Sequence, residues 1–242
     1  MHCPKCYSTK IKKNGFTHYG KQNNKCLKCG SQFVENSNHF ISKSRKEMIK
    51  RALKERLSLR SISRIFKVSL TWLQAFSVQV WSEAPDDLAA KPCMLEMKDE
   101  QELQDVGIQI DEMWSFVGNK QQKAWIWIAY DQWHKQVITF HVGNRTKKDA
   151  KILWNKIPEK YREHCCFDTD QLKAYQSVIP QDQHYTKKIL TQALERFNCT
   201  VRQRCSRMVR KTISFSKNWN NHILALRYFF WQFNLEQQAL HL

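Results

Sequence analysis

The chain has 242 residues, enough for one domain of ordinary size with smaller modules beside it. Its formal net charge of +18, from 40 Lys and Arg against 22 Asp and Glu, points to a polyanionic partner, most simply nucleic acid. No run of about 18 apolar residues argues for a membrane span, and the opening Met1-His2-Cys3-Pro4-Lys5-Cys6 lacks the apolar core of a secretory signal.

Nine cysteines without an export signal imply a reducing compartment, where paired thiols are more often metal ligands than disulfides. Cys3-x-x-Cys6 and Cys26-x-x-Cys29 are two knuckles separated by nineteen residues, each offering two thiolates to a tetrahedral Zn²⁺. Residues 1–40 are therefore expected to form a zinc-binding, ribbon-like module. Gly15, Gly20 and Gly30 would supply its turns, and Phe16, Tyr19 and Phe33 a small core. A unit this short buries too little surface to fold alone, so metal would supply much of its stability. Cys93, Cys165, Cys166, Cys199 and Cys205 lack such spacing and read as buried or incidental thiols.

Residues 41–82 read as three helices. Met48, Ile49, Ala52 and Leu53 mark one face of the first, 60–66 is a short second, and Lys67-Val68-Ser69 is a turn. The third begins at Leu70 with Ser69 as N-cap. This is the pattern of a helix-turn-helix, whose last helix enters the major groove by its N-terminal end. Thr71, Gln74 and Trp72 are the positions expected near DNA. Residues 1–82 carry 17 Lys and Arg against 3 acids, a charge suited to gripping phosphate. Residues 83–104 reverse the bias, with 7 acids against 2 Lys plus Pro85 and Pro92, and read as an acidic linker.

From residue 105 to 242 the pattern is α/β. Strands are expected at 106–116, 124–130 and 136–142; the connections between them are short, which predicts an antiparallel meander. A helix over 147–156, a strand near 164–168 and further helices follow. That order is the order of a ribonuclease-H-like fold. Trp219, Ile223, Leu226, Phe229, Phe230 and Phe233 repeat at helical spacing, as core packing requires, with a subunit contact as the second reading.

Three acids stand in different settings within this region. Asp111 lies on the first strand, Asp170 at the end of the fourth, and Glu195 on a helix spanning Ile189 to Phe197. A helix packed on a sheet can bring such residues together. Converging carboxylates in a basic chain suit Mg²⁺ or Mn²⁺, and two such ions can clamp the oxygens of a phosphoryl displacement.

The words around these acids carry a resemblance. Asp111-Glu112-Met113-Trp114 with Phe116-Val117-Gly118, then Ala129-Tyr130-Asp131, Thr169-Asp170 with Tyr175, and His184, Lys188, Thr191, Glu195-Arg196, Asn198 and Arg202 resemble the transposases of the bacterial insertion-sequence-one family. The likeness runs on through Arg210-Lys211-Thr212 and Ser214-Phe215-Ser216-Lys217, and the front of the chain is similar to that family's zinc-finger and helix-turn-helix segment. The resemblance implies a ribonuclease-H-like fold, a catalytic triad of Asp111, Asp170 and Glu195, and a DNA-contacting role for Arg202 and Lys188. It also implies an enzyme that binds the ends of its own element and cuts and joins DNA strands, as a homo-oligomer on DNA in the bacterial cytoplasm at the nucleoid. Gln171 departs from the family's usual Gly, and the poorly matching 161–168 segment makes Asp168 a rival for Asp170. His184 matches the family, and Asp131 is read as structural. Two other classes are a DNA-binding regulator without catalysis and a ribonuclease-H-like nuclease without end recognition.

Overall fold

The computed structural model describes residues 1–35, 41–91, 107–186, 192–208 and 214–240. At the front, β1 (Ile11–Phe16), β2 (Gln22–Cys26) and β3 (Gln32–Val34) form a small antiparallel sheet in the order β1-β2-β3. Gly15, Gly20 and Gly30 all have φ near +70, the left-handed region that glycine adopts without a Cβ clash. Of the three aromatics expected in its core, only Phe33 is half-buried. Phe16 and Tyr19 are 72 % and 86 % exposed, while Cys3 and Cys26 are fully buried. Three short strands enclose too little volume for aromatic rings, and the sulfur atoms occupy the centre instead.

Three helices follow: α1 (Lys43–Ala52), α2 (Leu59–Ile65) and α3 (Leu70–Trp81). Each starts on a serine whose hydroxyl accepts a backbone N–H of the first turn: Ser42 from Arg45, Ser58 from Ser61 and Ser69 from Trp72. Lys67 turns the chain between α2 and α3 with a φ of 49. Ile49, Ala52, Ile62, Leu73, Phe76 and Val80 form their core, but Met48, expected on the inner face of α1, is 49 % exposed.

Residues 83–91 do not behave as a loose connector. Ala84 and Leu88 are buried, Leu88 completely, and the Lys91 N–H bonds the Gln136 side chain at 3.0 Å. The acidic cluster Asp99-Glu100-Glu102 lies outside the described residues.

The large sheet comprises β4 (Gly107–Phe116), β5 (Lys123–Asp131), β6 (Gln136–Gly143), β7 (Cys166–Thr169) and β8 (His184–Tyr185). Their order is β6-β5-β4-β7-β8, with the first three antiparallel and β7 and β8 parallel to β4. This mixed α/β arrangement fits a ribonuclease-H-like domain. Alternation along β4 sorts the faces. Ile108 and Ile110 pack toward α4 (Lys147–Lys156), α5 (Glu159–His164) and α6 (Lys173–Gln176). Met113 and Val117 pack toward α7 (Gln192–Arg204) and α8 (Trp219–Leu240).

Helix α8 serves two cores. Leu226, Phe229, Phe230 and Phe233 pack under the sheet, as their spacing predicted, while Ala225 and Tyr228 complete the core of α1–α3. Glu236 of α8 binds both Lys54 and Arg204, and Arg204 also reaches Glu55. Asn234 pairs its amide with both the N–H and C=O of Val137, at 2.8 and 2.9 Å. The amide thus satisfies edge-strand backbone beside the irregularity in the β5–β6 register.

Candidate active site

The parallel pairing of β4 with β7 sets Ile110 opposite Thr169, so the next residues, Asp111 and Asp170, are neighbours at the open end of the pair. Ligand oxygens of Asp111, Glu112 and Asp170 all lie within 4.8 Å of one another. Asp111 points toward α7, where the Asn198 side-chain amide donates to its Oδ2 at 2.8 Å. Burial, then the charges of Glu112, Asp170 and Glu195, push the Asp111 carboxyl up to about 6. Asp170 accepts the Leu172 N–H at 2.9 Å, which fixes the turn after β7.

Glu112 points to the opposite face, into the layer that holds Ile108 and Ile110. Its Oε2 accepts from the Tyr175 hydroxyl at 2.7 Å, and its Oε1 accepts from Arg145 Nε at 2.7 Å and pairs with the second guanidinium nitrogen at 2.6 Å. The same nitrogen is 4.0 Å from Asp170 Oδ2, and the guanidinium lies over the Trp125 ring at 4.9 Å. Burial raises the Glu112 carboxyl, the Asp170 charge adds to this, and Tyr175 and Arg145 oppose it.

Glu195 stands in the first turn of α7, exposed, outside the tight acidic group. Its charge nevertheless reaches Asp111. Glu195, Asn198 and Arg202 follow at i, i+3 and i+7, one face of the helix. Arg202 is half-buried, and its buried Nε has no hydrogen-bond partner among the described residues. Asp168 shares a face with Asp170 but sits deeper, level with Gln109. It is buried, and burial lifts its carboxyl to about 6. A Cβ on Gly107 would meet the Asp168 carboxylate, which would have to shift to admit it.

Thr71 and Gln74 are exposed on the N-terminal half of α3, and Trp72 stacks on Phe76 at 4.7 Å. Lys188 falls outside the described residues. His184 bonds the Thr169 hydroxyl through Nε2 at 2.7 Å, joining β8 to the strand end that bears Asp170. Asp131 is fully buried and accepts the N–H groups of Trp133 and His134, a turn-capping role.

At the front of the chain, the sulfurs of Cys3, Cys6, Cys26 and Cys29 also lie within 4.8 Å of one another. The Cys3–Cys29 and Cys6–Cys26 separations are 3.6 and 3.5 Å. The edge of a tetrahedron with Zn–S bonds of about 2.3 Å is roughly 3.8 Å, so the four thiols fit such an ion.

The IS1 transposase family model matches residues 105–231, the span that carries the acidic site and the large sheet. The chain belongs to the IS1 transposase family. The transposase is 36 % identical over 114 residues to the insertion element iso-IS1n protein InsB of Shigella dysenteriae, covering 47 % of this chain and 86 % of that protein. It is 32 % identical over 114 residues to the IS1 4 protein InsB of Escherichia coli K12, 67 % of which is covered. The Shigella sonnei IS1 protein InsB gives 32 % over the same length, with 86 % covered. The chain is thus a DDE-type insertion-sequence transposase, a class that uses divalent metal. The family match begins after the cysteine cluster and α1–α3.

Two participants were not assigned from sequence. Glu112 had a signal, since its place two residues after Ile110 puts it on an apolar face where a bare carboxylate is costly. Arg145 had none: it follows β6 in a turn, 33 residues from the acid it binds.

Proposed function

We propose that this transposase binds the ends of its own insertion sequence and performs strand cleavage and transfer with Asp111, Asp170 and Glu195 as metal ligands. The observation that supports this best is the β4–β7 register, which makes Asp111 and Asp170 neighbours facing the helix that carries Glu195. The donor set is all oxygen, as Mg²⁺ or Mn²⁺ requires, and the mutual repulsion that lifts Asp111 is what a divalent cation relieves. When bound, such ions supply an activated water or 3′ hydroxyl as nucleophile and stabilise the departing oxygen.

The chain's own residues supply position and charge. Asp111 is held by the central strand and by Asn198, so its direction is set before substrate arrives. Asp170 is fixed by its turn. Glu195 completes the set from the first turn of α7, where it is exposed. Arg202, on the same face of α7, binds a phosphate of the reacting strand, and Lys188 does likewise. Asp168 is left out of the ligand set because it lies a step deeper and is buried.

The helices α1–α3 act as a helix-turn-helix in which Thr71 and Gln74 reach the bases at the element ends. The four cysteines hold Zn²⁺ as a structural ion. The domain reading is 1–40 zinc-binding, 41–82 helix-turn-helix and 105–242 catalytic, with assembly as a homo-oligomer on DNA at the nucleoid. No described helix is long and apolar enough to cross a membrane. Purified full-length protein incubated with Mg²⁺ should nick DNA bearing the element ends and leave scrambled duplex intact. Equal cutting of both would assign a nuclease without end recognition, and binding without cutting would assign a regulator.

A further inference from the structure

The pair of buried Glu112 and exposed Arg145 sits against the acidic group without belonging to its chemistry. Both oxygens of Glu112 are engaged, Oε1 by two nitrogens of Arg145 and Oε2 by the Tyr175 hydroxyl. Its side chain is 1 % exposed. A carboxylate so occupied is a poor ligand, although one of its oxygens lies within 4.8 Å of those of Asp111 and Asp170. The Arg145 side chain, by contrast, is 43 % exposed, and one of its nitrogens is already 4.0 Å from Asp170. A small rotation would turn that contact into a direct ion pair with a residue of the ligand set.

We propose that Glu112, fixed by Tyr175, is a positioning residue that holds the Arg145 guanidinium off Asp170 and so keeps Asp170 available to the cation. The chemistry is a competition between two cations for one carboxylate. Arg145 is always charged and bidentate in habit, so an unrestrained guanidinium beside Asp170 would oppose a divalent ion. Glu112 offers it a better-matched partner, with the Trp125 ring as a second support. This rests on the reading of Asp111 and Asp170 as metal ligands.

The test is Mn²⁺ binding to the full-length protein without DNA, followed by the electron paramagnetic resonance of free Mn²⁺, beside the Mg²⁺ concentration for half-maximal cleavage. Glu112→Gln keeps the shape and removes the charge that holds Arg145. It should weaken Mn²⁺ binding and raise the Mg²⁺ requirement roughly tenfold, with most of the activity recovered at saturating metal. The double variant Glu112→Gln with Arg145→Gln should return both values to within about threefold of the unaltered protein, because the competitor is gone. Should Glu112→Gln fold poorly by circular dichroism, Arg145→Gln alone decides, and its Mn²⁺ affinity should be equal or tighter. Unchanged metal binding in Glu112→Gln, no recovery in the double variant, or weaker binding in Arg145→Gln would each overturn the proposal. So would a Glu112→Gln protein that is folded yet inactive at every Mg²⁺ concentration, which would make Glu112 a ligand. Asp111→Asn is the control. If it binds Mn²⁺ normally, the ligand reading itself fails; if it loses Mn²⁺ while Glu112→Gln is unaffected, only the positioning role fails.

Discussion

Asn198 of α7 donates to Asp111 of β4 at 2.8 Å, across the junction between helix and sheet. The bond joins the central-strand acid to the helix that carries Glu195 one turn earlier, so two site residues share one strut.

Asn198→Ala should therefore cost about 1.5–3 kcal/mol of stability, the usual range for a hydrogen bond to a charged group. It should also slow cleavage by about tenfold, because Asp111 and α7 lose their common reference. Thermal melting and a cleavage time course on the same preparation check this. A destabilised variant with unaltered cleavage would show that the strut serves the fold alone.

The four-sulfur cluster should hold one Zn²⁺ per chain. Replacing Cys3 or Cys26, both buried, with Ser should release it and unfold the front sheet, since Phe16 and Tyr19 stand in solvent and add little to hold β1–β3 together. Metal analysis together with hydrogen exchange over residues 1–35 measures both effects. Retention of a full equivalent of zinc in Cys26→Ser would contradict the four-thiolate site.

His222 of α8 is fully buried, bonds Ser216 Oγ through Nδ1 at 3.0 Å, and has no partner at Nε2 among the described residues. Burial and then the Arg207 charge lower its pKa to about 4 from 6.5. The unfolded chain gains a proton below 6.5 that the folded chain refuses until about 4, so stability is lost as pH falls through that window. Between pH 7.5 and 5 the histidine's contribution should fall by about 2 kcal/mol. Urea midpoints of the unaltered chain and of His222→Gln should thus converge or cross as the medium is acidified. Parallel pH profiles would remove His222 as the cause.

Much of this molecule is readable from its residues, for identifiable reasons. The three meander strands, α4 and the Ser69 cap follow from alternation, helical spacing and capping chemistry, all local properties. The neighbouring of Asp111 and Asp170 needed the fold order, because β4 and β7 are distant in sequence and only the parallel pairing joins them. The outlying errors share one origin. Phe16 and Tyr19 read as core residues because they are aromatic, yet a metal-sized centre leaves them in solvent. Leu88 sits in an acidic, proline-bearing stretch that reads as a linker, yet the space beneath β5 and β6 draws it in. Helix α8 shows an apolar stripe for the sheet core, while its second face, Ala225 and Tyr228, gains meaning only once α1–α3 dock there. Arg145 likewise acquires its role from a partner that the chain delivers through three dimensions.

The proposed reaction depends on three carboxylates, Asp111, Asp170 and Glu195. The decisive measurement is Mg²⁺-dependent cleavage of end-bearing DNA by Asp111→Asn, Asp170→Asn, Glu195→Gln and Asp168→Asn, each beside a gel-shift control. The first three should lose cleavage and strand transfer while still binding DNA, since each keeps its shape and loses only the charge that holds a cation. Asp168→Asn should retain most of its activity. Full activity in any of the first three, or an inactive Asp168→Asn beside an active Asp170→Asn, would contradict the assignment.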